Sequence, residues 1–246
     1  MKLQIITIIA TLSLLITGAA QAGELVYIEG MDDRAEVSYA NTNGNTDTMT
    51  VAGKVKVTRY INEFKVSARG AVLRTESNGQ ETEDKLKLET WAERDITEKL
   101  FALGTLTYLR DTFAGYNFRI FVGPGIGYTF IDTEERLLQA ITSVLYNYDD
   151  FSSGTEGTDE NISLKVTGKY SQHITENTSF KEILDYTVSF EDRDRYFIDS
   201  ETRFEIRLND TFSFALSYII NFQNAPPSPT VDKTDTTLFT SLIANF

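Results

Sequence analysis

The sequence predicts an all-β chain, closed as an antiparallel transmembrane β-barrel of about 12 strands with short periplasmic turns and longer extracellular loops. Three observations carry this. Apolar and polar residues alternate with a period of two through nearly everything after residue 32. The links between alternating runs are tight at every other position and often longer in between. Aromatic residues gather at the ends of the runs, on the apolar face.

The composition narrows the classes first. The chain has 246 residues, no cysteine and a formal net charge of −13. Without cysteine there is no disulfide scaffold and no thiolate zinc site. The acidity argues against a sequence-independent nucleic-acid binder, which needs a basic footprint. Twelve Tyr and sixteen Phe against one Trp are a heavy aromatic load for so polar a chain.

Residues 1–22 read as a secretory leader. Lys2 gives the positive start, an apolar run follows over 5–16, and Ala20-Gln21-Ala22 supplies a small-x-small cleavage site. The expected organisation is a signal peptide over 1–22, a short periplasmic extension over 23–32 and an outer-membrane barrel over 33–246. The expected location is the cell outer membrane.

Cutting the remainder at turn signals gives strands near 33–42, 46–59, 62–75, 82–95, 99–110, 116–130, 134–148, 160–174, 178–191, 195–209, 211–223 and 234–246. In the sixth, Phe118, Ile120, Val122, Ile126, Tyr128 and Phe130 share one face, and Arg119, Gly123, Gly125 and Gly127 the other. In the tenth, Ile198, Phe204 and Ile206 alternate with Glu201, Arg203, Glu205 and Arg207. Two segments are ambiguous. Both faces are apolar over 99–110, and over 82–95 Trp91 falls on the Glu89/Glu93 face unless a bulge turns it. Pro124 predicts a bulge or break, since it cannot donate to a ladder. Asn43-Gly44-Asn45 reads as a tight hairpin turn, whereas 76–81, 149–159 and 224–233 read as longer loops.

A soluble barrel would hide its apolar face inside. Three features favour the inverted arrangement. Segments of roughly 13 to 15 residues exceed the usual globular strand but suit a tilted spanning one. The polar face carries many charges, which are costly in a dry core and suit a wet lumen. Two aromatic girdles are predicted, with Phe64, Phe130, Phe180 and Phe212 near the tight turns. Tyr116, Tyr146, Tyr148, Phe190, Tyr196 and Phe222 form the other, near the longer loops.

Several spaced motifs then point to one family. They are Asn43-Gly44-Asn45-Thr46, Arg110-Asp111 before Phe113 and Gly115, Gly123-Pro124-Gly125-Ile126-Gly127-Tyr128, Pro226-Pro227, Asp235-Thr236 and the terminal Phe246. In this order they resemble the YdiY-like salt-induced outer-membrane proteins, a family of unknown function. The resemblance implies an outer-membrane barrel and supplies no catalytic residues. The terminal Phe246 is similar to the signal that barrel-assembly machinery reads.

The residues expected to line the lumen are Lys54, Lys56, Lys65, Arg69, Lys85, Lys87, Arg119, Lys165, Lys169, Glu201, Arg203, Glu205 and Arg207. Those on three successive segments, from Lys54 to Lys87, read as one basic strip, which favours anions. The alternation of Glu201, Arg203, Glu205 and Arg207 reads as cross-strand ion pairing. His173, the single histidine, falls on the lumen face near Ser171 and carries little weight as a catalytic group. The glycines of 123–127 lack the following helix that a phosphate loop needs. They read as small residues that let a neighbour approach. Acidic residues near 76–84 and 149–160 read as solvated loops, or as carboxylates sharing Ca²⁺ or Mg²⁺ with lipopolysaccharide.

The expectation is therefore a non-enzymatic protein with no catalytic residues, no metal site and no cofactor. It is read as a narrow passive channel for small polar or charged solutes, linked to salt or osmotic stress. An occluded structural barrel is the alternative, and an outer-membrane hydrolase a weaker third. Expected partners are outer-membrane lipid and lipopolysaccharide, the assembly machinery through Phe246, and small solutes in passage; nucleic acid is not expected.

Overall fold

The computed structural model describes residues 33–42, 48–151, 157–226 and 232–246. The expected leader, the 23–32 extension and the Asn43-Gly44-Asn45 turn lie outside them. Twelve strands follow in chain order: β1 (Arg34–Thr42), β2 (Thr48–Ile61), β3 (Phe64–Ser77), β4 (Gln80–Asp95), β5 (Leu100–Asp111), β6 (Tyr116–Asp132), β7 (Arg136–Phe151), β8 (Thr158–His173), β9 (Thr178–Ser189), β10 (Tyr196–Arg207), β11 (Phe212–Gln223) and β12 (Thr234–Asn245). Each pairs with its chain neighbour, and β1 pairs with β12 to close the barrel. The closing register sets Arg34 opposite Asn245 and Tyr39 opposite Thr240. Ser38 and Ser241 hydroxyls, 2.9 Å apart, bond across this seam from inside.

Closure joins β1 to β12 over Arg34–Tyr39, so the ladder runs on around the wall there instead of ending at open edges. A span through hydrocarbon demands this. The period-two alternation then sorts the side chains. Val37, Leu106, Val122, Ile126, Leu184, Leu216 and Leu242 are exposed on the outside, while Glu36, Ser67, Arg119, Asn147, Asp149 and Arg203 are buried on the inside. Water-soluble monomers do not display apolar surface on this scale, and a bilayer requires it.

Aromatic contacts mark two levels on the exterior. Toward the turn end, Phe180 packs against Phe204 with centroids 5.1 Å apart and Tyr128 against Phe130 at 4.9 Å. Toward the loop end, Phe118 stacks between Tyr108 and Tyr148, and Tyr196 packs between Tyr186 and Phe222. Tyr116 departs from the expectation. The register of β6 shifts between Tyr116 and Phe118, which turns Tyr116 inward, where it is 3% exposed.

Two further expectations are corrected, the second in part. The 76–81 stretch is no loop: β3 and β4 continue to a two-residue turn at Asn78-Gly79, both at positive φ. This is the residue pair such hairpins favour. Pro124 makes no bulge but does interrupt the β6–β7 ladder: Gly123 and Pro124 drop out of the pairing, while Val122 with Tyr146 and Gly125 with Ser143 keep one register across the gap. Gly123 allows this, because a Cβ there would lie 1.9 Å from the Val144 carbonyl oxygen. Trp91 stays on the Glu89/Glu93 face without a bulge, opposite Ser67 and Thr105.

The outer face carries a polar cluster on β8, β9 and β10. Glu182 falls on it by alternation, and its carboxylate accepts hydrogen bonds from Ser200 Oγ at 2.8 Å and Thr202 Oγ1 at 2.6 Å. Beside it the Tyr170 hydroxyl donates to Gln172 at 2.7 Å. These groups satisfy one another, as polar atoms facing lipid must.

Candidate functional site: the lumen

The apolar inner residues of β5 explain why both its faces looked greasy. Phe101 points inward and rests on Gly127, where a Cβ would sit 2.1 Å from its ring. Leu103 faces Gly125 in the same way across the β5–β6 ladder. The glycine row of β6 thus makes room for inward apolar side chains, as the small-residue reading implied.

A cavity of about 410 Å³ occupies the half of the lumen nearer the tight turns. Arg34, Lys54, Lys56, Arg69, Lys165, Lys169, Lys181 and Arg203 line it, with Glu36, Glu89, Glu93, Asp185 and Glu201 facing them. Basic groups outnumber inward-facing acidic ones there, against the sign of the whole chain. Ion pairs organise the wall. Arg203 bonds Glu36 and donates to Ser217 Oγ at 2.8 Å. Lys54 lies 3.8 Å from Glu201, Arg34 3.4 Å and Lys181 3.0 Å from Glu205, and Lys165 2.9 Å from Asp185. Arg69 and Lys87 share Glu89, at 2.5 and 3.0 Å.

Three sequence expectations change accordingly. The alternation predicts that Glu201, Arg203, Glu205 and Arg207 pair with neighbouring strands, and Lys181–Glu205 does so. Arg203–Glu36, Lys54–Glu201 and Arg34–Glu205 instead join β10 to β1 and β2 through the lumen. Side chains long enough to span the interior find partners that ladder adjacency does not reveal. The strip from Lys54 to Lys87 is broken by acids: Lys65 pairs with Glu93 at 3.8 Å and Lys85 with Asp111 at 3.3 Å. Arg207 leaves the lumen and donates to the Glu176 carbonyl at the turn end, 2.8 Å away. His173 is exposed at the end of β8 opposite Ser179.

The loop half of the lumen is filled on one side. Arg119 of β6 donates to both carboxylate oxygens of Asp149 on β7, at 2.8 and 3.0 Å. Its guanidinium lies 4.2 Å from the Tyr116 ring centroid, 5.0 Å from Phe121 and 5.1 Å from Phe197. Arg195 reaches the same carboxylate at 3.7 Å and bonds Asp159 at 2.5 Å. Only about 10 Å³ of space remains beside this cluster, room for about one water. The sequence singled out Arg119 but assigned Asp149 to an acidic loop.

Several other acids at the loop end are also matched by bases. Asp84 accepts from Arg110 at 2.9 Å, Arg74 pairs with Glu81 and with Glu76 at 3.6 Å, and Lys85 bonds Glu83. Among the described residues no group of three potential metal ligands converges. Asp111 has two roles: it pairs with Lys85, and it accepts the Ala114 amide at 3.0 Å, fixing the turn that ends at Gly115.

A closed twelve-strand barrel with an apolar exterior, two aromatic belts and an ion-paired lumen is a membrane-spanning β-barrel. The chain belongs to the family described as "Protein of unknown function, DUF481", whose sequence model matches residues 35–246. It is similar to "Uncharacterized protein YdiY" of Escherichia coli (strain K12), with 22% identity over 198 residues, covering 80% of this chain and 76% of that protein. Among solved structures, the NanC porin superposes with a TM-score of 0.55 at 7% identity, covering 87% of this chain and 98% of the other. The COG4313 outer membrane channel from Pseudomonas putida F1 gives 0.54 at 11%, covering 92% and 99%. The translocator domain of autotransporter NalP from Neisseria meningitidis gives 0.52 at 10%, covering 96% and 95%.

Proposed function

We propose that this protein is a narrow passive channel of the outer membrane for small polar or charged solutes. The observation that carries the reading is the cavity of about 410 Å³ inside the closed wall, lined by ionised side chains. Ionic walls facing a space of that size suit hydrated solutes, and a purely structural barrel has no need of them. Twelve strands also fall between small barrels whose side chains fill the interior and large ones with an open aqueous channel. Two of the structures similar in fold are described as a porin and a channel, the class taken here.

In this reading the chain is exported by its N-terminal leader. It rests its apolar face against lipid and lipopolysaccharide, and it engages the assembly machinery through Phe246. It catalyses no reaction, and its passage of ions ties it to salt or osmotic stress. Planar-bilayer recording of the refolded chain tests this. Discrete conductance steps are expected, and a correctly folded protein that never rises above baseline overturns the channel.

A second reading has its own support. The Arg119–Asp149 cluster with Tyr116, Phe121 and Phe197 packs the loop half of the lumen, which fits an occluded barrel serving envelope integrity. That reading predicts a growth defect of a deletion strain in salt with solute uptake unchanged.

A further inference from the structure

We infer that the cavity contains a binding site for a small oxyanion, of the phosphate or sulfate class, between Lys56, Arg69 and Lys169. This rests on the reading of the cavity as open to solvent and adds to it the class of solute.

The argument starts from Lys169. Lys54, Arg69, Lys165 and Arg203 each hold a carboxylate within ion-pair distance. Lys169 lines the same cavity, yet it makes no ion pair within 4.0 Å among the described residues. Its electrostatic surroundings are Glu93 and Asp185 of opposite sign and Arg69 and Lys56 of the same sign. Both of those acids are engaged elsewhere, Glu93 with Lys65 and Asp185 with Lys165. Barrel order makes the arrangement informative. β8 lies across the cylinder from β2 and β3, and Lys56, Arg69 and Lys169 all line the one cavity, so Lys169 faces the other two across the lumen. Like charges held together in a confined space repel, and an anion seated between them relieves that repulsion. An oxyanion also takes charged donors: Arg69 keeps Glu89 and still has guanidinium N–H groups to offer, and the Lys169 ammonium carries up to three. Ser171, two residues on from Lys169 along the same face, adds a hydroxyl to the cavity wall.

The site carries its own reporter. Trp91, the chain's single tryptophan, lines the cavity and lies 5.8 Å from the Arg69 guanidinium. Arg69 must adjust when an anion engages it, which changes the surroundings of the indole.

The test is a titration of the refolded chain in detergent micelles with inorganic phosphate at constant ionic strength. It is followed by Trp91 fluorescence and, in parallel, by calorimetry. A saturable response is expected, weakened roughly tenfold or more in Lys169→Gln, the loss of a charged hydrogen-bond donor, and largely retained in Lys169→Arg. If Lys169→Gln fails to refold, Lys56→Gln provides the same test. Absence of both a fluorescence change and a heat in the wild type overturns the site, as does a response that Lys169→Gln leaves unchanged. Bilayer recording separates the two claims. Saturable binding without conductance removes the channel and keeps the site, whereas conductance without saturable binding removes the site and keeps the channel.

Discussion

Removing the carboxylate of Asp149 isolates a buried cation, Arg119. Asp149 is 0% exposed and Arg119 8%, and the two are joined by a bidentate pair at 2.8 and 3.0 Å. In Asp149→Ala, Arg195 keeps Asp159, but Arg119 loses its bidentate partner and is left with aromatic faces and the more distant charge of Asp111. Breaking a buried pair by deleting one partner costs about 3–5 kcal/mol. With a urea slope of about 2–3 kcal/mol/M, the unfolding midpoint falls by roughly 1–2.5 M. The assay is urea unfolding of the barrel in lipid vesicles, followed by Trp91, which lies in the opposite half of the lumen and reports global opening. The double variant Arg119→Met with Asp149→Leu removes both charges and fills the space, so it costs less than Asp149→Ala alone. A single-variant loss below about 1 kcal/mol would show that water already solvates Arg119. A double variant worse than the single would show that the pair is worth more than its desolvation. Either result refutes the description of this half of the lumen as closely packed.

Three other outcomes follow. Gly123→Ala forces a methyl against the Val144 carbonyl and costs about 1–3 kcal/mol or more. At Gly168 the nearest atom to a new Cβ is 4.0 Å away, so Gly168→Ala shifts stability by no more than about 0.5 kcal/mol in the same urea assay. Ser200→Ala with Thr202→Val strips the Glu182 carboxylate of both donors on the outer face and destabilises by about 1–3 kcal/mol; adding Glu182→Leu restores the midpoint. Arg119→Ala raises single-channel conductance in planar bilayers if the Arg119 cluster narrows the path, and an unchanged conductance places the narrowest point elsewhere.

Much of the architecture was legible because a barrel wall is written locally. Alternation along β11 and β12 assigns Phe214, Leu216 and Leu242 to the outside and Ser217, Ser241 and Ile243 to the inside, with no long-range knowledge needed. The turn at Asn78-Gly79 was equally readable from its residue pair, but the acids on either side drew attention to a loop. Tyr116 was misplaced because a one-residue register shift exchanges faces, and no residue type announces it. The lumen was harder to read. Parity assigns Arg203 and Glu36 to the interior, yet their meeting depends on which strands oppose across the cylinder, and closure alone decides that. Phe101 and Gly127 are paired by the β5–β6 register, which explains the doubly apolar segment only after the ladder is known.

The chain lacks cysteine, so single thiols can be placed along β11 and labelled with an environment-sensitive fluorophore in vesicles of brominated lipid. Phe214→Cys, Leu216→Cys and Tyr218→Cys should be strongly quenched, and Ser213→Cys, Ala215→Cys and Ser217→Cys protected. A uniform response along the strand, or the reverse phase, would contradict a wall that turns its apolar side to the bilayer.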